Sequence, residues 1–334
     1  MNRRQKILFR LFSILFLSAI LAACNDAVDS PYPAVSFDPK STMSSTGRSS
    51  AVSFVIADKA YVALGRSGTR SAALNDCWEY NPVTDSWREM EPFPGKKRVN
   101  AIAEVVAGNA YVGLGFDLDY GFYRDEAFLK DFWSFDPASN SWTRKADFPN
   151  KNTNACISFV ANGAIYAGFG FDGWAFKNDL WKYNIADDRW EQMAETGVHA
   201  RTGAVACASG EHVYIGTGYH TTSENDWWEY FPSNDTWKKL KNMPDKGREF
   251  GVSLSVDNRF FVATGRYFHG NLTGGHLKAD LFEYDAMRNV WYERGTLPGG
   301  GRENAVAFVV GGKVYIGFGE NDQGMLNDLW SFTP

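Results

Sequence analysis

Short apolar runs separated by polar turns fill the chain from residue 48 onward, and each run has the length of a strand. In the first unit, residues 48–55 form an apolar run that suits a strand buried on both faces. Residues 60–65 follow as a second strand after a short turn. Trp78 and Tyr80 then alternate on a third strand, and Trp87 opens a fourth. The pattern predicts a four-stranded antiparallel sheet.

The same unit returns five more times. The aspartate ahead of its third strand recurs at intervals of 55, 48, 47, 54 and 48 residues. The six copies are Asp76, Asp131, Asp179, Asp226, Asp280 and Asp328. A repeat of this length that is built from strands is typical of a propeller blade. We therefore predict an all-β, six-bladed ring over residues 32–334.

A glycine ends the second strand of every unit. The six glycines are Gly65, Gly115, Gly170, Gly218, Gly265 and Gly319. With the aromatic residues that follow them, the units resemble the kelch family, although the family's Gly-Gly pair is here Gly-x-Gly or Ala-x-Gly. The resemblance covers residues 48–334 and implies a kelch-type β-propeller. More distantly, the chain is similar to kelch propellers of the galactose oxidase type and of the N-acetylneuraminate epimerase type.

The sixth unit has no fourth strand after residues 328–332. In most units the fourth-strand tryptophan lies 11 residues before the start of the next inner strand, and counting 11 back from Arg48 reaches Phe37. Met43 follows at the offset where the other units place an apolar residue. We therefore predict that residues 33–38 complete the last blade and close the ring, which also covers a sheet edge.

The N-terminus carries the pattern of an export signal. Four basic residues lie within the first ten positions, residues 7–20 are mostly apolar, and Leu21-Ala22-Ala23-Cys24 follows. This resembles a bacterial lipoprotein signal and implies removal of residues 1–23, a lipid on Cys24 and a tether over 24–31. The alternative is an uncleaved anchor helix, although the apolar run is short for one. We expect a lipid-anchored protein of the bacterial cell envelope, in the outer membrane, on its periplasmic or surface side.

Charge and cysteine content narrow the possible functions. The chain has 34 Lys and Arg against 39 Asp and Glu, which argues against a nucleic-acid partner. The odd set Cys77, Cys156 and Cys207 lies in predicted strands and favours buried free thiols, with one disulfide and a spare thiol as the alternative. The loop histidines lack zinc-site spacing. We expect no metal or cofactor, and a monomer.

Two sets of side chains are predicted to share one face of the ring. Five of the six inner strands begin with arginine. A ring of guanidinium groups could bind a carboxylate or a hydroxyl-rich ligand. Alternatively, each arginine pairs with the aspartate of a neighbouring third strand. The inner-strand candidates are Arg48, Arg98, Asn100, Asn154, Arg201, Arg248, Glu249, Arg302, Glu303 and Asn304.

The second set lies in the loops between second and third strands. The loops of units two and five are expanded, to 15 and 14 residues, and they are rich in aromatic residues. Exposed aromatic rings on a rigid scaffold suit sugar stacking or a protein interface. Alternatively, the rings pack over the loops themselves. The loop candidates are Tyr123, Trp174, Tyr219, His220 and Tyr267.

The predicted function is non-catalytic recognition of a glycan or a protein partner. The alternative is a sugar-acid epimerase or mutarotase in the central funnel, with Glu249, Glu303 or Glu320 as acid or base. Gly319-Glu320 resembles part of the epimerase motif, but Met325-Leu326-Asn327 stands where the family has arginine. Copper chemistry of the galactose oxidase type is not expected, because the mature cysteines lie in strands. No nucleophile elbow, phosphate loop or triad spacing is visible.

Overall fold

The computed structural model describes residues 30–43, 46–68, 72–121, 124–149, 153–269 and 274–334. These residues form strands and one short 3-10 helix, Asp125–Ala127, so the all-β prediction is confirmed. Within the described ranges, no helix combines the length and apolarity needed to cross a bilayer. The predicted signal, Cys24 and all but the last two residues of the predicted tether lie outside these ranges.

Six four-stranded sheets follow one another along the chain, and neighbouring strands within each sheet are antiparallel. From its inner to its outer edge, sheet 1 comprises Val52–Ile56, Lys59–Ala63, Cys77–Asn81 and Ser86–Met90; sheet 2 comprises Ile102–Val106, Asn109–Gly113, Phe132–Asp136 and Ser141–Lys145. Sheet 3 comprises Ile157–Ala161, Ala164–Gly168, Leu180–Asn184 and Arg189–Gln192; sheet 4 comprises Val205–Ser209, His212–Gly216, Trp227–Phe231 and Thr236–Lys239. Sheet 5 comprises Val252–Val256, Arg259–Ala263, Asp280–Asp285 and Val290–Thr296; sheet 6 comprises Val306–Val310, Lys313–Gly317, Leu329–Phe332 and Asp38–Lys40.

Small two-residue strands lie in the loops of sheets 1, 5 and 6. They are Arg48–Ser49, Arg66–Ser67 and Ala72–Ala73; Arg266–Tyr267 and His276–Leu277; and Glu320–Asn321 and Gly324–Met325. All except Arg48–Ser49 lie in the link between the second and third strands of their sheet, on the side of the molecule where the first strands begin. Arg48–Ser49 precedes the first strand of sheet 1 and pairs with Arg66–Ser67.

The first strands of neighbouring sheets contact one another in cyclic order and surround a central channel. Two residues before each first strand, the backbone turns into the left-handed region, with φ between 52° and 60°. At these positions the backbone amide of one sheet donates to the backbone carbonyl of the preceding sheet, at 2.9–3.3 Å. The bonds run from residue 100 to 50, from 50 to 304, from 304 to 250, from 250 to 203 and from 203 to 155. We call this side of the molecule the rim face. The turns between first and second strands lie on the opposite face.

A second set of contacts joins the sheets at their outer edges. In sheet 2, the Asn140 side chain accepts the amide of Glu91 at 3.0 Å, and the Trp142 indole donates to the carbonyl of the same residue at 3.0 Å. Glu91 directly follows the fourth strand of sheet 1. Sheets 3 and 5 bind Ala146 and Lys241 of the preceding sheets in the same way.

Sheet 1 makes these two bonds to Ser41, the residue that follows Asp38–Lys40. Asp38 pairs with Ser331 and Lys40 with Leu329. The predicted range of 33–38 was therefore too early, because the Val35 amide still donates to the Arg294 carbonyl of sheet 5 at 2.8 Å.

The residues chosen as landmarks of this strand do pack against the last sheet. Phe37 meets Phe332 edge-on at 5.2 Å between ring centroids. Met43 is only 2 % exposed, and its carbonyl accepts the Asn327 side chain at 3.2 Å. The N-terminal strand thus packs against sheet 6 through both backbone and side-chain contacts.

The apolar core lies between adjacent sheets. Where sheets 1 and 2 meet, Phe54 stacks on Tyr61 at 5.0 Å and Phe135 packs against both rings. The three cysteines of the described ranges are free, Cys77 and Cys207 buried and Cys156 partly buried, as the free-thiol interpretation predicted.

The Phe37→Ala variant measures how much the N-terminal strand stabilises the fold. We expect the free energy of unfolding to fall by roughly 1–3 kcal/mol, because truncating a fully buried phenylalanine costs about 3–5 kcal/mol and Phe37 is half-buried. Urea unfolding followed by fluorescence provides the measurement. Val83→Ala, at a side chain that is 84 % exposed, should change stability by less than about 0.5 kcal/mol. Equal midpoints for the two variants would show that this strand does not stabilise the fold.

Candidate functional site

The five arginines ahead of the first strands are buried, each at most 1 % exposed. Arg98 forms two bonds of 2.8 Å to Asp131 and donates to the carbonyl of Leu114 at 3.0 Å. The corresponding ion pairs elsewhere are Arg48–Asp76, Arg201–Asp226, Arg248–Asp280 and Arg302–Asp328. Burial opposes ionisation of Asp131, but the bonds from Arg98 and Trp133 outweigh it and lower the pKa of that carboxyl.

The backbone of each arginine is bound to the preceding sheet. The Arg98 amide donates to Leu74 at 3.3 Å, and its carbonyl accepts from Gly65 at 2.9 Å. The aspartate that binds its side chain belongs to its own sheet rather than to a neighbouring one, which corrects the predicted pairing. Since all five side chains are buried in these bonds, we do not retain a guanidinium ring as the ligand site.

Two other sets of six residues on the rim face pair with each other across the start of each sheet. The first set lies one residue after each arginine position and comprises Ser49, Val99, Asn154, Thr202, Glu249 and Glu303. The second set directly follows the glycine that ends each second strand and comprises Arg66, Phe116, Phe171, Tyr219, Arg266 and Glu320. Together they form what we call the rim site. Sheets 5, 6 and 1 contribute a charged sector, and Phe171 and Tyr219 of sheets 3 and 4 belong to an aromatic sector that the loop of sheet 5 completes.

Two guanidinium–carboxylate pairs define the charged sector. Arg66 donates to both oxygens of Glu320, at 2.5 and 2.7 Å. The Arg266 Nε donates to Glu303 at 2.9 Å, and its Nη2 reaches the exposed Asp322 at 3.1 Å. The side chains of both arginines and both glutamates are 15–26 % exposed, so solvent and ligands can reach them.

Further polar side chains on the rim face bind these carboxylates or one another. Asn304 donates to Glu320 at 3.1 Å, and the Ser49 hydroxyl donates to the same carboxylate at 3.0 Å. Asn100 donates to the oxygen of Asn154 at 3.1 Å, between sheets 2 and 3. The predicted residues Asn100, Asn154 and Asn304 therefore do line the rim.

Glu249 has no cationic partner within hydrogen-bonding distance among the described residues. Burial, reinforced by the neighbouring Glu303 carboxylate, raises the pKa of Glu249 from its ordinary value of 4.5 to about 8, and the attraction of Arg266 offsets this only in part. Burial also raises the pKa of Glu303. Burial thus favours the protonated form of Glu249, beside two carboxylates that are ion-paired with Arg266 and Arg66.

The aromatic sector is a cluster of rings from the loops of sheets 3 to 5. Phe176 packs against Phe171 at 5.1 Å, Tyr219 at 5.9 Å and His220 at 5.0 Å, and Tyr219 meets Phe268 at 5.7 Å. These rings pack on one another, as one alternative predicted, but Tyr219 and His220 stay partly exposed at the funnel.

The other loop candidates lie further out. Trp174 is 72 % exposed beyond the aromatic cluster. Tyr267 is partly buried in the sheet 5 loop, with its hydroxyl 3.0 Å from Nδ1 of His269. Tyr123 lies outside the described residues.

Sequence reasoning missed Arg66 and Arg266. The signal was present, because both directly follow the last glycine of a second strand, as Glu320 does. Among the described residues, no group of three His, Cys, Asp or Glu side chains is placed to hold a metal ion.

Glu249→Gln should flatten the pH dependence of stability. The folded state keeps a proton on Glu249 up to pH of about 8, while the unfolded state releases it near the ordinary 4.5. The free energy of unfolding should therefore fall as pH rises across this window, and the variant should lose that part of the fall. Urea midpoints from pH 5 to pH 9 provide the measurement.

Other carboxyls with a raised pKa, such as Glu104 in the channel with a pKa of about 7, are present in both proteins. Their contributions to the pH dependence of stability therefore cancel in the comparison. Glu211→Gln, in an exposed turn on the opposite face, is the matched control. Parallel curves for wild type and Glu249→Gln would contradict the assignment of a raised pKa to Glu249.

Comparison with known proteins gives two matches to family models. The Kelch motif model matches residues 47–94, and the KLHDC2/KLHL20/DRC7 Kelch-repeats domain model matches residues 121–265. The chain is 34% identical over 113 residues to the N-acetylneuraminate epimerase of Pasteurella multocida (strain Pm70), which is 33% of this chain and 27% of that protein. It is 28% identical over 106 residues to Kelch-like protein 31 of Homo sapiens, which is 32% of this chain and 16% of that protein.

The matched stretch thus spans about a quarter of the epimerase and about a sixth of the human protein. A solved structure entitled "Structure of YjhT" superposes with a TM-score of 0.73, over 93% of this chain and 97% of its own, at 18% identity. At that identity the match shows a shared fold.

Proposed function

We propose, from the premise that this chain belongs to the kelch-repeat family, that it is a recognition module whose rim site binds a glycan. The kelch matches and the shared fold support a binding role in general. The observation that carries the glycan proposal is the joining of a carboxylate–guanidinium network and an aromatic cluster around one funnel.

The proposal takes the six sheets as six blades of a closed ring, with Asp38–Lys40 as the closing strand. The cyclic contacts of the first strands and the amide bonds at the rim support closure. So does Ser41, which sheet 1 binds in the way that sheets 2, 3 and 5 bind a residue one or two positions after the preceding fourth strand. The Phe37→Ala measurement tests this closure.

Each half of the rim site suits a different part of a sugar. Hydroxyl groups both donate and accept, and paired carboxylates and guanidinium groups offer both functions at fixed positions. The apolar face of a sugar ring packs on aromatic side chains such as Tyr219. Arg66 and Arg266 are already paired with Glu320 and Glu303, so a neutral sugar can bind without breaking an ion pair.

We also propose that the mature protein carries a lipid on Cys24 and resides in the bacterial cell envelope. The support is the basic, apolar and small-residue order of residues 1–24. A protein partner is the other candidate ligand, and the exposed Trp174 would then be central to the interface.

A glycan array followed by calorimetry on the full chain tests the proposal. We expect binding to neutral oligosaccharides that weakens at least tenfold in Tyr219→Ala and in Arg266→Ala, or about 1.4 kcal/mol each. Arg288→Ala, which removes an exposed arginine from a sheet 5 turn, is the matched control and should bind normally. Thermal unfolding checks that both rim variants remain folded. No glycan binding, or full binding by both rim variants, would overturn the proposal.

A second candidate is catalysis of sugar-acid epimerisation or anomer exchange. One observation favours it: Glu320 and Arg66 converge at 2.5 Å, so sheet 1 supplies a guanidinium group although residues 325–327 lack the arginine of the family motif. The partial match to an N-acetylneuraminate epimerase agrees with this. Glu249, with its raised pKa, and the neighbouring Glu303, which is paired with Arg266, would provide an acid and a base.

Anomer-exchange NMR on N-acetylneuraminate separates this candidate from simple binding. If the site is catalytic, exchange should exceed the buffer rate, and at least one of Glu249→Gln, Glu303→Gln and Glu320→Gln should lower it about 100-fold, as loss of a positioned acid or base does. Exchange at the buffer rate excludes the candidate. Exchange that survives all three substitutions would show that these glutamates are not the acid and base.

A further inference from the structure

We propose that a pocket over the outer strands of sheet 2 is a further sugar subsite, so that the ligand of the rim site is an oligosaccharide that extends outward across this sheet. The inference rests on the glycan binding put forward under the proposed function. It adds the length of the ligand and a second set of residues that bind it.

The pocket has a volume of about 790 Å³, within the range of about 300–1,000 Å³ that is usual for ligand sites. Its walls come from the link that precedes Arg98, from the expanded loop of sheet 2 and from the rim ends of the third and fourth strands, so it lies on the rim face. We call it the outer pocket, and its lining includes Asp125, Glu126, Phe128, Lys130, Trp133 and Arg144.

An indole ring forms the aromatic part of the outer pocket. Trp133 is only partly buried, and its indole nitrogen donates to Asp131 at 2.8 Å, which fixes the ring. The Arg144 guanidinium lies 5.6 Å from the ring centroid and binds Asp147 at 2.8 and 3.1 Å. A fixed indole beside charged side chains offers a sugar both a surface for the apolar face of its ring and partners for its hydroxyl groups.

Lys130 departs from the residue that most other sheets have at its position. The residue directly before the repeated aspartate is asparagine in four other sheets, and its side-chain amide donates to a backbone carbonyl beyond the fourth strand. These bonds run from Asn75 to Phe93, Asn178 to Val198, Asn225 to Met243 and Asn327 to Met43, at 3.1–3.2 Å. Lys130 keeps the backbone bond of this position, from the Phe148 amide at 2.9 Å. Its ammonium group makes no hydrogen bond or ion pair with any other residue that the structure describes, so its donors are available to a ligand.

The charges of the lining favour a neutral ligand that carries hydroxyl groups. Besides Lys130, the exposed carboxylates of Asp125 and Glu126 line the outer pocket and have no hydrogen-bonding partner in the described ranges. Free charges of both signs therefore surround one cavity. An anion would be repelled by the carboxylates and a cation by the lysine, whereas hydroxyl groups can accept from the ammonium group and donate to the carboxylates.

A pair of phenylalanine rings separates the outer pocket from the rim site. Phe116 belongs to the rim site, and its backbone pairs with that of Phe128. The two ring centroids are 5.2 Å apart in an edge-on arrangement, and Phe128 also lines the outer pocket. Because the two sites adjoin across this pair, one chain of sugars can occupy both.

Calorimetry on the full chain with oligosaccharides of increasing length tests the outer pocket. The probe is the neutral oligosaccharide that the glycan array identifies, in lengths from two to six sugar units. We expect affinity to rise about tenfold once the ligand is long enough to reach the outer pocket, as an added hydrogen bond to a charged group allows. Lys130→Asn should lose this increase and still bind the shortest ligand normally. Because asparagine is the residue of four other sheets, the variant should fold, and thermal unfolding checks this.

Arg144→Ala and Lys239→Ala form a matched pair for the indole side of the pocket. Lys239 lies 5.6 Å from the ring centroid of Trp228 in sheet 4, as Arg144 does from that of Trp133, but it does not line the outer pocket. Arg144→Ala should reduce the increase in affinity with ligand length, and Lys239→Ala should leave it unchanged.

The outcomes separate the outer pocket from the rim site. Affinity that does not depend on ligand length, or an increase that Lys130→Asn and Arg144→Ala both retain, overturns the outer pocket and leaves the rim site intact. An equal loss in Arg144→Ala and Lys239→Ala also overturns it, because the effect would then not be local to sheet 2. Absence of binding at every length overturns the proposed function and this extension together.

Discussion

The ion pair between a buried arginine and the aspartate of its own sheet is the interaction on which the architecture depends. A guanidinium group that is fully removed from water must have its charge and most of its donors satisfied. A bidentate carboxylate with a carbonyl does this for four of the arginines, whereas Arg248 divides its bonds between Asp280, Asp245 and the Thr264 carbonyl. Because the backbone of the same arginine is bound to the preceding sheet, one residue joins two sheets at once. Removing either partner of a buried pair of this kind costs about 3–5 kcal/mol. The five copies therefore fix how successive sheets meet at the rim.

This fixed frame separates scaffold positions from functional ones. The arginine and aspartate positions repeat with little change, and their side chains are not available to a ligand. The residue that follows the glycine at the end of each second strand, in contrast, differs in chemical type from sheet to sheet. Arg66 and Glu320 give one part of the funnel charge, while Phe171 and Tyr219 give another part aromatic surface. A repeated fold thus presents an asymmetric site, as binding of an asymmetric ligand requires.

The parts of the fold that depend on local periodicity could be predicted from the sequence. The recurring aspartates located the third strand of each sheet. The spacing that begins at Trp87 placed Met43 at the position of later apolar residues, and Met43 is buried. The closing strand was placed too early because its position is set by contacts of residues 33–35 with sheet 5, which leave no periodic trace. The roles of the inner-strand arginines were left open because the sequence does not show which sheet supplies the carboxylate that each arginine binds, and the burial of the side chain follows from that pairing. Arg66 and Arg266 were missed because their neighbours at the funnel come from distant parts of the chain.

The three separate thiols determine how the chain responds to oxidants. Cys77, Cys156 and Cys207 lie in or beside strands of three different sheets, so the finished molecule needs no disulfide. Burial raises the pKa of each thiol to about 12, so almost none is present as the reactive thiolate. Unfolding would expose all three fully, and a bridge formed then would block the native arrangement. The folded state itself therefore protects these thiols from oxidation and mispairing.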